Sequence, residues 1–180
     1  MKYLILFGLL AAALFYVWSN FARAADVIKI NQTAPAFSLI DQNGKARALA
    51  NYRGKWLVLY FYPKDDTPGC TQEACAFRDD FHQITALGAA VVGISIDDTQ
   101  SHLAFAKKYH LPFPLLSDPQ GLVASKYGAL SDLGFIKIAK RHTFIIDPQG
   151  AIAKIYLKVT PARHAQEIIA DLKALSNLPY

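Results

Sequence analysis

Sulfur is scarce in this chain: its 180 residues hold two cysteines and one methionine. Two cysteines are too few for a disulfide-stapled scaffold, and a chain of this length can bury a core without one. They do not form a C-x-x-C pair, which argues against a disulfide oxidoreductase. Charge is sparse too, at 18% of residues against 53% hydrophobic. The formal net charge is +5, and without Lys2 and Arg23 of the N-terminal segment it is +3. No Lys/Arg cluster is long enough to track a phosphate backbone. "AKKYH" and "KIAKRH" are short and read as solvated faces, which argues against a nucleic-acid partner. There is no internal repeat, low-complexity tract or linker, so the chain reads as one domain after its first residues.

The one long apolar run stands at the N-terminus. Lys2 precedes "YLILFGLLAAALFYVW" (residues 3–18), and Ala22-Arg23-Ala24 offers a small-x-small exit before Ala25. A basic start, an apolar middle and a small-residue exit predict an export signal over residues 1–24. An uncleaved membrane anchor remains the alternative. Sixteen residues span about 24 Å as a helix, a little less than the ~30 Å hydrocarbon core. Either way the protein is expected to be exported, periplasmic or tethered facing the periplasm, in a compartment that tolerates disulfides.

From residue 27 onward short strand-like runs alternate with helical patterns. "AFSLI", the turn "DQNG" and "KARAL" read as an N-terminal hairpin. "KWLVLYFY" (55–62) is a nearly continuous apolar run that suits a central strand buried on both faces. Residues 67–87 read as one helix. Thr67 serves as N-cap, Pro68 takes the first helical position, and Ala74, Phe77, Phe81, Ile84 and Leu87 form one apolar stripe. "AAVVGISI" (89–96) is a second buried strand, 101–110 a short helix, and "LVASKYG" another. "RHTFIID" and "AIAKIYLK" form a hairpin, and 162–177 an amphipathic closing helix. "SDLGFIKIAK" (131–140) reads as a surface loop. The order predicts an α/β domain with a central mixed sheet flanked by helices.

Both cysteines fall at one junction, in "PKDDTPGCTQEAC" (63–75). Cys70 follows a buried strand and lies in the first turn of a helix, where free backbone N–H groups and the positive dipole end favour a thiolate. Pro63 and Pro68 stiffen the approach, and Thr67 can present a hydroxyl near the sulfur. Cys75 is five positions on. In an ideal helix the two Cα atoms lie about 8–9 Å apart, beyond the ~7 Å limit for a disulfide. The thiols can join only if the first turns unwind, so the spacing reads as an oxidation switch; the alternative is a Cys75 that merely packs. Arg141, entering a buried strand, needs an anionic partner, for which a thiolate or a surface carboxylate would serve.

"APAFSLIDQNG", "GKWLVLYFYPKDDTPGCTQEACAFRD", "VVGISIDD" and "RHTFIID" together resemble the peroxiredoxins, in particular their bacterioferritin-comigratory or Q-type branch, over residues 27–178. The family's Pro-x-x-x-Thr-x-x-Cys motif falls on Pro63, Thr67 and Cys70, its resolving cysteine on Cys75, and its active-site arginine on Arg141. The resemblance implies a thioredoxin-like fold and a thiol-dependent peroxidase. Cys70 would attack hydrogen peroxide or an organic hydroperoxide and become a sulfenic acid. Thr67 and Arg141 would hold the peroxide oxygens. Cys75 would close an intramolecular disulfide, and a thioredoxin-like donor would reduce it. The resemblance also implies a monomer without metal or organic cofactor, and gives Glu73 a supporting place near the pair. An exported enzyme could not draw directly on cytosolic thioredoxin. A competing reading is copper binding, because tethered copper-handling proteins of thioredoxin fold also carry two nearby cysteines and a distant histidine. His82, His142 and His164 would then be the candidate third ligands.

Overall fold

The computed structural model describes residues 28–176. The expected leader over residues 1–24 lies outside the described residues. Among the described residues, no helix is long and apolar enough to cross a membrane.

The run "WLVLYF" forms β3 (Trp56–Phe61), and every residue of it is buried. The two-residue period of a strand deals its side chains to opposite faces. Trp56, Val58 and Tyr60, with Tyr62 just beyond, enter one core layer, and Leu57, Leu59 and Phe61 the other. A strand buried on both faces must lie inside the sheet, and β3 does. It pairs in parallel with β4 (Ala89–Ser95) and antiparallel with β8 (His142–Ile146). The remaining strands are β1 (Ser38–Asp41), β2 (Ala46–Ala48), β5 (Leu115–Ser117) and β9 (Ile152–Tyr156). The order across the sheet is β2-β1-β5-β4-β3-β8-β9. A mixed sheet flanked by helices, with an N-terminal β1–β2 hairpin, is the expected thioredoxin-like arrangement.

One face is covered by α1 (Pro68–Asp79), α2 (Phe81–Ala86), α3 (Thr99–Tyr109) and α5 (His164–Ser176). The other carries the N-terminal segment from Ile28, α4 (Leu122–Lys126) and the base of a small hairpin made of β6 (Leu130–Asp132) and β7 (Lys137–Ala139). Close packing dictates Gly93 on β4. A Cβ there would come within 2.7 Å of the Tyr60 ring and 2.8 Å of Leu115, so any side chain would have to push these two buried side chains aside.

Two local expectations need correction, and one strand was not foreseen. The single helix over 67–87 is two helices. Asp80 sits between them at φ −96° and ψ 6°, and its carboxylate accepts from the Gln83 and Gln166 side chains. Such side-chain bonding competes with the helical ladder. The turn-rich stretch after the 101–110 helix contains β5. It is too short to show a period, and it is fixed by its neighbours and by the Gln42 side chain, which bonds Phe113 O and Leu115 N. Residues 131–140 are not an irregular loop. Ser131 pairs with Ile138 and Asp132 with Lys137, and Gly134, at φ +83°, donates its N–H to the Asp132 carboxylate in the turn.

Candidate active site

β3 ends at Phe61, and the chain crosses by Pro63–Thr67 into α1. Thr67 is the helix N-cap by backbone conformation, and its carbonyl accepts from Thr71 N at 2.8 Å. Its side chain does not cap the helix as expected. The hydroxyl turns back to donate to the Lys64 carbonyl at 3.0 Å. The first-turn amides are thus left uncovered by it, at the end of the helix where negative charge is favoured.

Cys70 is buried in that first turn, 2% exposed. Its partner comes from the start of the neighbouring strand. Because His142 of β8 lies opposite Phe61 at the end of β3, Arg141 falls just past the sheet edge, over the start of α1. One guanidinium nitrogen donates to Cys70 Sγ at 3.2 Å. Another donates to Glu73 Oε2, one turn along the helix. Gly69 makes room for this. A Cβ there would stand 3.2 Å from the same guanidinium nitrogen that reaches the sulfur.

Behind the arginine the charges are buried. Glu73 is fully inaccessible, and burial pushes its carboxyl up to about 7 against the opposing charge and hydrogen bond of Arg141. Burial also works against the Arg141 cation, but Glu73 and Cys70 outweigh it and keep the guanidinium protonated. His164 on α5 lies 3.9 Å from Glu73 Oε1 and 2.8 Å from the Thr143 hydroxyl. Its pKa is pushed down to about 4, first by burial and then by Arg141, so it is neutral near pH 7. Among the described residues Glu73 Oε1, His164 Nδ1 and the nearby Tyr60 hydroxyl have no hydrogen-bond partner.

Cys75 is half-buried on the same intact helix, and both thiols are free. The Arg78 guanidinium neighbours it; that group is held protonated chiefly by its hydrogen bond to Asp79 and, less, by Cys75.

A second polar cluster holds the loop from the other side. Asp65 accepts from Tyr62 Oη at 2.7 Å and Ser101 Oγ at 2.7 Å, and pairs with His102 Nδ1 at 2.8 Å. Its backbone N–H donates to Asp97, which also accepts from Ser95 Oγ. Asp66, at φ +56°, accepts from Lys108 and Tyr109 at the end of α3. Sequence reading missed this cluster. Its one signal was two adjacent aspartates in a loop after a buried strand. Asp65, Asp97 and His102 form a group close enough to share a cation, but the loop itself already occupies their oxygens. The histidines weighed as copper ligands do not assemble with the cysteines. His164 is turned to Glu73 and Thr143, and no group of metal-ligand type among the described residues contains either thiol.

Sequence comparison matches the AhpC/TSA family over residues 30–155. The chloroplastic peroxiredoxin Q of Populus jackii is 46% identical over 150 residues, which cover 82% of this chain and 70% of that protein. The crystal structure of peroxidoxin BcpB from Mycobacterium tuberculosis superposes with a TM-score of 0.78 at 36% identity, covering 82% of this chain and 98% of that one. A bacterioferritin comigratory protein of Xanthomonas campestris, whose alkyl peroxide reduction has been structurally studied, gives a TM-score of 0.76 at 31% identity, covering 83% of this chain and all of that one.

A thioredoxin-like sheet with one cysteine at its strand-to-helix junction and an arginine on the sulfur defines a thiol-dependent peroxidase. The chain belongs to the AhpC/TSA family, as a peroxiredoxin of the Q or bacterioferritin-comigratory branch.

Proposed function

We propose that Cys70 is the peroxidatic residue and Cys75 its resolving partner, in an exported enzyme acting on hydrogen peroxide and organic hydroperoxides. The observation that carries this is the guanidinium of Arg141 shared between Cys70 Sγ and Glu73. A cation fixed there lies against the Cys70 sulfur and stands where charge develops on a peroxide oxygen. The thiolate attacks one peroxide oxygen and the O–O bond breaks. The other oxygen leaves as water or an alcohol after taking a proton, and Cys70 becomes a sulfenic acid. Thr67 and the open first-turn amides hold the peroxide, and Pro63 shapes the loop that presents them.

The second step needs movement. With Cys70 and Cys75 on one helix, the sulfurs meet only after the first turns of α1 open. Cys75 then displaces the sulfenic hydroxyl, releasing water and forming the disulfide, and a thioredoxin-like dithiol donor restores both thiols. The protein acts as a monomer. Residues 1–24 direct export, and residues 3–18 hold the chain at the membrane where they are not removed.

Peptide mapping after a slight excess of hydrogen peroxide tests the cycle. Residues 70 and 75 should be joined within one molecule. Both thiols remaining reduced while peroxide disappears would overturn the assignment. N-terminal sequencing of the natural protein tests the leader: a start at Ala25 means cleavage, and a start at Met1 or Lys2 means retention.

A further inference from the structure

Eight large hydrophobic side chains stand exposed on the described surface, and four of them fall within six consecutive positions. These are Leu133, Phe135, Ile136 and Ile138 of the β6–β7 hairpin, with Phe135 88% and Leu133 65% exposed. Scattered apolar residues on a surface are ordinary, but a cluster of this kind marks an interaction site. The register explains the cluster. Leu130 and Ala139 face each other toward the core, whereas Ser131 and Ile138 face each other on the opposite side. The two-residue period then carries Leu133 and Ile136 outward with Ile138, and Phe135 takes the tip. The 120–122 segment leading into α4 packs under the hairpin, with Leu122 61% exposed. Its neighbour Gly121 packs against Leu130, and Lys137 reaches the Gln120 carbonyl at 3.4 Å.

The rim of this patch is cationic. Lys140, next to Ala139, is exposed at the root of the hairpin, and Lys126 of α4 is exposed on the same face of the sheet. The one acidic residue of the hairpin, Asp132, pairs with Lys137 at 3.5 Å, so the charges of Lys126 and Lys140 are left over.

The covalent path of the chain indicates what covers the patch. Ala129 and Ala139, at the root of the hairpin, share a core cluster with Ile28, the first described residue. The chain therefore enters the domain on the face from which the hairpin projects. Only residues 19–27 separate Ile28 from the sixteen-residue apolar run at 3–18, and nine residues cannot span more than about 30 Å.

We propose that the β6–β7 hairpin is a membrane-contact wedge, with Leu133, Phe135, Ile136 and Ile138 entering the bilayer interface and Lys126 and Lys140 meeting anionic headgroups. Partly buried apolar side chains and juxtamembrane lysines add in this way. The proposal rests on the reading that residues 3–18 keep the chain at a membrane. A hairpin docked there holds the domain close to a lipid surface, where acyl-chain hydroperoxides partition.

The test uses residues 27–180 without the apolar run. This span is a complete protein in the bacterial relatives, whose chains it covers almost fully. The probe is phosphatidylcholine vesicles with about a quarter phosphatidylglycerol, read by co-sedimentation at low salt. The parent domain should sediment with the vesicles. Phe135→Asp and Ile138→Asp should each lower the partition coefficient by about tenfold or more, and their unchanged thiol oxidation by hydrogen peroxide would show that fold and site are intact. A parent domain that stays in the supernatant, or variants that partition like it, would overturn the proposal. So would a Phe135→Asp variant that binds vesicles normally but is reduced more slowly by thioredoxin, because the patch would then dock the reductant. Failure of the tether reading is separately visible, as full chain found in the soluble cell fraction with Ala25 at its N-terminus.

Discussion

Two buried polar clusters flank the end of β3, and they are built on opposite terms. In the Asp65 cluster both carboxylate oxygens are occupied, by Tyr62, Ser101 and His102. In the Arg141 cluster the cation is shared between a sulfur and a carboxylate, and Glu73 Oε1 and His164 Nδ1 have no partner among the described residues. Each cluster leaves a buried histidine nitrogen without a partner among the described residues, His102 Nε2 in the first and His164 Nδ1 in the second. The contrast therefore lies in the carboxylates. One bonded at both oxygens fixes geometry, whereas one with an open oxygen in a dry site retains electrostatic work to do. On the function proposed above, the first cluster holds the loop still, and the second acts on whatever the loop presents.

The largest effect should come from removing the sulfur that the open cluster serves. Cys70→Ser should abolish peroxide consumption, while Cys75→Ser should keep one turnover and lose recycling by a dithiol donor. Rapid mixing with thiol counting separates the two. If Cys75→Ser behaved like Cys70→Ser, the division of roles along α1 would fail.

Arg141→Ala comes next. Loss of one charge-stabilising donor typically costs about 10²–10³ in rate. It also leaves Glu73 buried without its cation, a loss of about 3–5 kcal/mol where the charge cannot be neutralised. The double variant Arg141→Ala/Glu73→Gln should regain stability in denaturant melts without regaining rate. Recovery of both would mean that the arginine is structural.

Asp65→Asn attacks the loop-holding cluster. It should cost about 1–3 kcal/mol by leaving buried donors unmatched, and it should slow peroxide reduction less than Arg141→Ala does. A larger kinetic loss than at Arg141 would invert the comparison.

The smallest effect is in the pH dependence of stability. The Glu73 carboxyl is raised to about 7, so the folded chain holds that proton more tightly than the unfolded chain. Its favourable contribution is complete below its ordinary value near 4.5 and is lost as the pH rises through about 7. His164 is depressed to about 4, so its contribution is present above about 6.5 and lost as the pH falls through about 4. The two oppose each other between these limits. Glu73→Gln should therefore show stability rising more steeply from pH 4.5 to 7 than in the parent, by denaturant midpoints at each pH. An unchanged slope would mean that Glu73 stays ionised throughout.

The parts legible in the sequence are those with a strong local signal. The apolar run 56–61 could only be a central strand, Thr67-Pro68 opens a helix, and both thiols had to share it. β5 was hidden because three residues carry no period. The break at Asp80 was hidden because the stripe from Phe77 to Leu87 continues across it. Arg141 was found as a cation needing an anion, but not with Glu73 as its second partner. Asp65 and His102 went unread, since 37 residues separate groups that meet only across a folded sheet.

By itself the chain determined that its sulfur chemistry sits at the start of one helix, after one buried strand, because periodicity, capping and proline act over a few residues. The tertiary structure alone decided which groups surround that sulfur. Pairing of β8 with β3 carries Arg141 across 71 positions to Cys70. Burial then sets the charges of Glu73 and His164, since desolvation depends on what packs above a residue and not on what precedes it in the chain.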